Sequence, residues 1–190
     1  MRPPIRRKNA ETRSREYLTG TEIEKLLKAA GHGRHGHRDM TLLMVMFRHG
    51  LRVSEAIALR WDQADLKTGL LAVTRAKGGL PSTHPLRGPE LRALRTLRRN
   101  SPDSPYLFVS ERGGPMTDSN VRKLVAKIGV EAKLPFRIHP HMLRHACGFK
   151  LANDGHDTRS LQQYLGHANI RHTVRYTELS PDRFKTFFRD

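Results

Sequence analysis

The sequence predicts one mainly α-helical domain carrying a small antiparallel β-sheet. Apolar residues recur at helical spacing through most of the chain. Good capping residues, Thr19, Thr117 or Asp118, and Asp157, stand just ahead of several of those runs. Strand-like segments are confined to the stretch between residues 70 and 86. At 190 residues the chain suits a single domain with a sizeable core.

Taken in order, Leu18-Thr19-Gly20-Thr21-Glu22-Ile23 is a helix start. Thr19 and Glu22 form a capping box, with Leu18 and Ile23 placed as a hydrophobic staple. That helix runs through Leu26, Leu27 and Ala30 to Gly31. The glycine- and histidine-rich stretch 31–37 reads as a loop; its three histidines lack an acidic partner for a metal. Residues 38–49 form a second helix, largely buried by its run Leu42 to Phe47 and ended by Gly50. Ser54 can cap a short helix after it. Leu70–Thr74 and Ser82–Leu86 are the strands, with Ala76-Lys77-Gly78-Gly79 in the turn. Helices follow over Pro89–Arg99, after Asp118 or Thr117, after His139-Pro140 as far as Gly155, after Asp157, and over Ile170–Thr177. Ser180-Pro181 opens a last one bearing Phe184, Phe187 and Phe188, expected to serve assembly with a neighbouring protomer.

Charge narrows the function. Lys plus Arg is 35 against 18 for Asp plus Glu, a formal +17, which points to a polyanion, most often nucleic acid. A basic arm spans 1–17, where Arg2, Arg6, Arg7, Lys8, Arg13 and Arg15 oppose only Glu11 and Glu16. The lone cysteine, Cys147, permits neither an internal disulfide nor a cysteine-based zinc site. No apolar run is long enough to span a bilayer, and no signal-peptide core follows Met1. The expectation is a cytoplasmic, nucleoid-associated protein with no membrane partner.

Cutting a phosphodiester without a metal requires cations on the non-bridging oxygens, a nucleophile, and proton carriers for the entering and leaving oxygens. Arginine suits the first task because its planar guanidinium binds phosphate oxygens two at a time. The pattern His-x-x-Arg occurs six times, so in a chain this rich in arginine it discriminates nothing alone. Context singles out one copy. Ile138-His139-Pro140-His141-Met142-Leu143-Arg144-His145 is followed by Leu165-Gly166-His167 and, nine residues later, by Tyr176. Upstream lie Arg52-Val53-Ser54-Glu55 and the hairpin lysine Lys77.

This ordered set, spread over residues 18–180, resembles the catalytic domain of the tyrosine recombinases, or phage integrase family. The resemblance implies that fold and a set of roles. Arg52 and Arg144 would clamp the phosphate, with Glu55 supporting them. Lys77 would protonate the departing 5′ oxygen, His141 would handle the nucleophile's proton, and His167 would donate a hydrogen bond to the phosphate. Tyr176 would attack to form a 3′-phosphotyrosyl bond, which conserves the energy needed for rejoining, so neither metal nor ATP nor another cofactor is expected. Tyr17, Tyr106 and Tyr164 lack the Leu-Gly-His lead-in and read as packing residues. His139 reads as a capping or packing residue, His145 and Cys147 as structural, and His172 as a surface group.

Residues 18–190 are thus expected to form a recombinase catalytic domain with no separate N-terminal DNA-clamping domain, a departure from the usual family pattern. His139 through Gly148 and Asn169 through Val174 are similar to the short recombinases that invert a promoter segment controlling fimbriae. By that resemblance, double-stranded DNA is the partner. Protomers alone in solution would form a homotetramer on DNA, with room for a DNA-bending accessory protein. An integrase or transposase of a mobile element, and a DNA-binding regulator without catalysis, remain the alternatives. A metal-dependent nuclease finds no evident carboxylate cluster for magnesium in the sequence. Removing residues 1–16 is predicted to make the salt dependence of DNA affinity shallower. Each lost phosphate contact takes about 0.9 from the log–log slope, and filter binding across a salt series measures it.

Overall fold

The computed structural model describes residues 15–76, 78–100 and 103–178. The arm cations Arg2, Arg6, Arg7, Lys8 and Arg13, the hairpin Lys77 and the segment 180–190 lie outside the described residues.

Helix α1, Gly20–Gly31, starts as its capping box requires. Thr19 Oγ1 accepts the Glu22 N–H at 3.4 Å, and the Thr19 N–H donates to Glu22 Oε2 at 2.9 Å. Leu18 and Ile23 are both buried, the staple positions packed inward. Helix α2, Gly36–Arg48, begins two residues earlier than the apolar pattern alone indicates. Its first residue passes against the end of α1, where any Cβ on Gly36 would fall 2.0 Å from the Gly31 carbonyl oxygen. Leu42, Leu43, Val45 and Met46 are wholly inaccessible, which makes α2 the central helix of the bundle. The loop histidines find ordinary partners: His35 Nε2 lies 2.7 Å from Glu111 and His37 Nε2 2.9 Å from the Ala93 carbonyl.

Gly50 ends α2 in the left-handed region, φ +58°, as its lack of a Cβ permits. The turn throws the chain into α3, Val53–Ile57. Arg52 occupies the N-cap position of α3, and the exposed Ser54 sits inside its first turn, so Ser54 is not the cap the sequence suggested. The Glu55 carboxylate takes the part instead, accepting the Arg52 N–H at 2.9 Å. A carboxylate three residues into a helix reaches back to the N-cap amide as readily as a short hydroxyl reaches forward.

The sheet is a meander in the order β1-β2-β3, with β1 at Ala64–Asp65, β2 at Leu70–Val73 and β3 at Ser82–Pro85. Leu70 pairs with Asp65 on one side and Pro85 on the other. The two-residue β1 escapes sequence reading because it is too short to show a period. Leu71 and Val73 face the core, and the same phase carries Arg75 inward beyond the strand end. Four helices follow: α4 (Gly88–Asn100), α5 (Asp118–Glu131), α6 (Pro140–Asn153) and α7 (Thr158–Leu165). Thr117 caps α5, leaving Asp118 as its first residue, and Asp157 caps α7. Helix α8, Arg171–Glu178, packs across α6 and α7.

The main core joins α1, α2, α4, α5 and the sheet to the Met142, Leu143 and Ala146 side of α6. A smaller cluster of Cys147, Ala152, Leu161, Leu165 and Tyr176 holds α7 and α8 to the other side of α6. Among the described residues no helix is long and apolar enough to cross a membrane.

Gly50→Ala is predicted to lower unfolding stability by about 2 kcal/mol or more in urea titrations. The left-handed conformation costs an L-residue about 1–2 kcal/mol, and the new Cβ would lie 2.4 Å from the Leu165 side chain.

Candidate active site

The end of α2, the start of α3, the exit of β2, the inner face of α6 and the α7–α8 turn converge on one cleft. Its volume is about 270 Å³, and its lining includes Arg52, Gly79, His141, Arg144, His167 and Tyr176. Arg52 and Tyr176 are 124 residues apart in the chain, so only the completed fold brings them together.

Glu55 is the organising group. Its side chain is 1% exposed. Oε1 accepts Arg52 Nη1 at 2.6 Å and the Ala76 N–H at 3.1 Å. Oε2 accepts Arg75 Nη1 at 3.0 Å and lies 3.9 Å from Arg144 Nη1. Burial alone would raise the pKa of such a carboxyl; the hydrogen bonds from Arg52 and Ala76 and the charge of Arg75 outweigh it and hold Glu55 ionised below the usual range. Three guanidinium groups thus surround one carboxylate, leaving an uncompensated positive charge beside the cleft.

Arg144, 1% exposed, is anchored by backbone. Its Nη1 donates to the Gly50 carbonyl and its Nη2 to the Leu165 carbonyl at 2.7 Å. Burial first, then the charges of Arg52 and Arg75, push its pKa down to about 10, still cationic at neutral pH. Arg75 is held likewise, its Nη2 donating to the carbonyls of Tyr164 and, at 3.2 Å, His49. The ends of α2 and α7 therefore present carbonyl oxygens to two buried arginines. This is the favourable pairing of a cation with a helix C-terminus.

His167 follows Gly166, which caps α7 in the left-handed conformation at φ +64°. Its Nδ1 is 2.7 Å from Thr173 Oγ1 of α8, and its backbone N–H donates to the Gln162 carbonyl at 3.0 Å. Burial and the charges of Arg144 and Arg52 bring its pKa to about 3, so it is neutral at physiological pH. His141 stands at the exposed mouth of the cleft. Desolvation first, then Arg144, the neighbouring His139, Arg52 and Arg175 lower it to about 4.

The Tyr176 phenol lies in a slot. Phe149 meets its ring edge-on at 5.1 Å between centroids, and the His167 ring lies nearly parallel at 6.3 Å. The floor is Gly148, where a Cβ would come within 2.7 Å of the phenol ring. The hydroxyl oxygen is 2.8 Å from Nδ1 of His145. Burial raises the Tyr176 pKa, against the opposing pull of Arg144 and Arg175, so the phenol keeps its proton.

Of the residues singled out from sequence, Arg52, His141, Arg144, His167 and Tyr176 line this cleft and Glu55 braces it. Arg15 instead pairs with Glu22 at the start of α1. Tyr164 packs behind the cleft, stacked on His84 with its hydroxyl donating to the Arg48 carbonyl at 2.9 Å. His172 is exposed on α8, its ring 6.0 Å from that of His167. Sequence reading missed Arg75 and read His145 as structural. The available signals were the inward phase Leu71, Val73, Arg75 along β2, and the i, i+4 spacing that puts His145 on the His141 side of α6.

The arrangement is a cationic hollow with neutral imidazoles and a protonated phenol around it, suited to a phosphodiester. Comparison with known proteins agrees. The family model described as "Phage integrase family" matches residues 16–183. The chain belongs to the phage integrase family. Among curated members it is similar to the type 1 fimbriae regulatory protein FimB of Escherichia coli K12. The two are 44% identical over 180 residues, 92% of this chain and 90% of FimB. It is 31% identical to the tyrosine recombinase XerC of Bacillus subtilis, over 94% of this chain and 62% of XerC. Among solved structures, the XerA recombinase superposes with a TM-score of 0.79 at 27% identity, covering 90% of this chain and 63% of XerA. This phage integrase family member is thus a tyrosine-type site-specific recombinase.

Arg75→Met is predicted to destabilise this recombinase by about 3–5 kcal/mol, the usual cost of stripping one partner from a buried ion pair. Combining it with Glu55→Gln is predicted to recover part of the loss. Urea unfolding of both variants measures the two effects.

Proposed function

We propose that this recombinase inverts a DNA segment carrying a promoter, cutting and rejoining double-stranded DNA through a bond to Tyr176. The observation that carries the chemistry is the cleft itself, where the Tyr176 phenol shares one hollow with Arg52, Arg144, His141 and His167. FimB supports the biological direction, being named a fimbriae regulatory protein and matching nearly end to end.

In this reading a phosphodiester sits in the hollow with its non-bridging oxygens on Arg52 and Arg144. Glu55 keeps both arginines in place without neutralising them. His167 donates to the same phosphate, and His141 carries protons at the cleft mouth. The Tyr176 oxygen attacks phosphorus, the bond to the 5′ oxygen breaks, and a 3′-phosphotyrosyl ester remains. Lys77 delivers the proton to the departing 5′ oxygen. Reversal by the 5′ hydroxyl of another strand restores the DNA and frees the tyrosine, so strand exchange consumes no ATP. Residues 18–190 act as the catalytic domain and the arm 1–17 lies along phosphates. Four copies, separate in solution, assemble on two DNA sites in the cytoplasm, with a DNA-bending protein assisting.

Tyr176→Phe removes one oxygen and little shape, so DNA binding is expected to persist while covalent capture disappears. A nicked suicide substrate, with adducts counted on a denaturing gel in the presence of chelator, tests this. Adducts at normal yield from the Phe variant overturn the nucleophile assignment. Loss of adducts when chelator is added to the unmodified protein overturns the metal-free mechanism. A plasmid whose promoter lies between inverted sites reports inversion directly.

A further inference from the structure

The resemblance to the family assigns the nucleophile's proton to His141, but the geometry around the nucleophile points elsewhere. The Tyr176 hydroxyl hydrogen-bonds to a different histidine on the same helix, His145 Nδ1 at 2.8 Å. His141 meets His145 edge-on, ring centroids 4.4 Å apart, one turn nearer the cleft mouth. His145 is 5% exposed and cannot swing away without disturbing α6. Gly148, one turn after Arg144 and three residues after His145, lets the phenol ring lie directly on the helix, which holds its oxygen at this imidazole.

We propose that His145 is a catalytic residue of this recombinase, the immediate acceptor of the Tyr176 hydroxyl proton during attack on the phosphodiester. The inference rests on Tyr176 being the nucleophile. In the step, the Tyr176 O–H bond breaks and its proton goes to His145 Nδ1. The phenol oxygen forms a bond to phosphorus, and the phosphorus bond to the 5′ oxygen breaks, with that oxygen taking a proton from Lys77. In rejoining, the proton returns from His145 to the phenol. His141 is then left free to face the phosphate.

The surroundings of His145 explain when this happens. His141 and Arg144 on α6, Arg175 on α8, and His139 ahead of α6 all face it. Burial and these groups bring its pKa to about 3 in the DNA-free protein. A neutral imidazole offers a lone pair, so Nδ1 can accept from the phenol while Tyr176 remains protonated and inert. A phosphodiester between Arg52 and Arg144 brings a negative charge beside Arg144, one of the cations that, after burial, keep His145 neutral. An added anion favours the imidazolium and the transfer. The acceptor thus becomes competent only when substrate is in place.

The decisive variant is His145→Asn, because the Asn side-chain oxygen falls near the position of Nδ1. It can accept the phenol hydrogen bond but cannot hold the proton. The rate of covalent capture on the suicide substrate is expected to fall at least about 100-fold, the low end for general base catalysis. DNA affinity and the thermal transition are expected to be unchanged. Installing a more acidic fluorinated tyrosine at position 176 is expected to restore much of the rate in the Asn background. A substrate with a 5′-bridging sulfur, which relieves the leaving-group proton instead, is expected not to. Capture within 3-fold of the unmodified protein overturns the proposal. So does rescue by the sulfur substrate alone, which would put His145 on the leaving-group side. Rescue by neither probe also overturns it, reducing His145 to holding the tyrosine in place. His145→Gln carries the same comparison if the Asn variant loses its thermal transition. Adducts from Tyr176→Phe would instead overturn the nucleophile reading on which the inference rests, so the two failures are distinguishable.

Discussion

The Glu55 carboxylate allows three guanidinium groups to occupy one small buried volume. Two like charges about 5 Å apart at an effective dielectric near 20 repel by roughly 3 kcal/mol, so a cluster of bare arginines here would push itself apart or draw in water. With Glu55 bonded to Arg52 and Arg75 and close to Arg144, the repulsion is offset but not cancelled. What remains is a positive site that an anion completes. The Ala76 amide ties the same carboxylate to the strand exit, so the electrostatic centre is also the joint between sheet and helices.

The backbone repeats this economy. Carbonyls of His49 and Gly50 at the end of α2, and of Tyr164 and Leu165 at the end of α7, accept from Arg75 and Arg144. Helix ends need partners for their last carbonyls, and buried arginines need acceptors for their N–H groups. One set of bonds meets both needs. A preorganised cation costs no reorientation when charge develops in the transition state. The arginines nearest the proposed reaction are therefore also structural members.

Local chemistry made much of this legible before any coordinates. The Thr19–Glu22 box, the Asp157 cap and the Gly50 stop each depend on residues within a few positions and appear as read, and Thr117 is the one of two candidate caps that the helix uses. The Ser54 cap failed because the helix starts earlier: Arg52 takes the N-cap position with its N–H bonded to Glu55, which leaves Ser54 inside the first turn. The two-residue β1 had no period to show. In the cleft, motif order located Arg52, Arg144, His167 and Tyr176 along the chain but could not say what touches what. Arg75 looks in sequence like any of its many fellows. Its importance comes from Glu55, 20 residues away, and Tyr164, 89 residues away. His145 read as structural from the sequence, and only the fold sets it against a tyrosine 31 residues on.

The bonds from Arg144 and Arg75 to the ends of α2 and α7 also bear on when the cleft of this recombinase comes into being. Neither arginine has its seat until both helices have ended correctly and met, and the helices lie on opposite sides of the chain's midpoint. A nascent or partly unfolded copy can carry its full positive charge, and so still cling to DNA, while lacking any assembled hollow for a phosphate. The ability to nick is withheld until the chain has passed its own inspection.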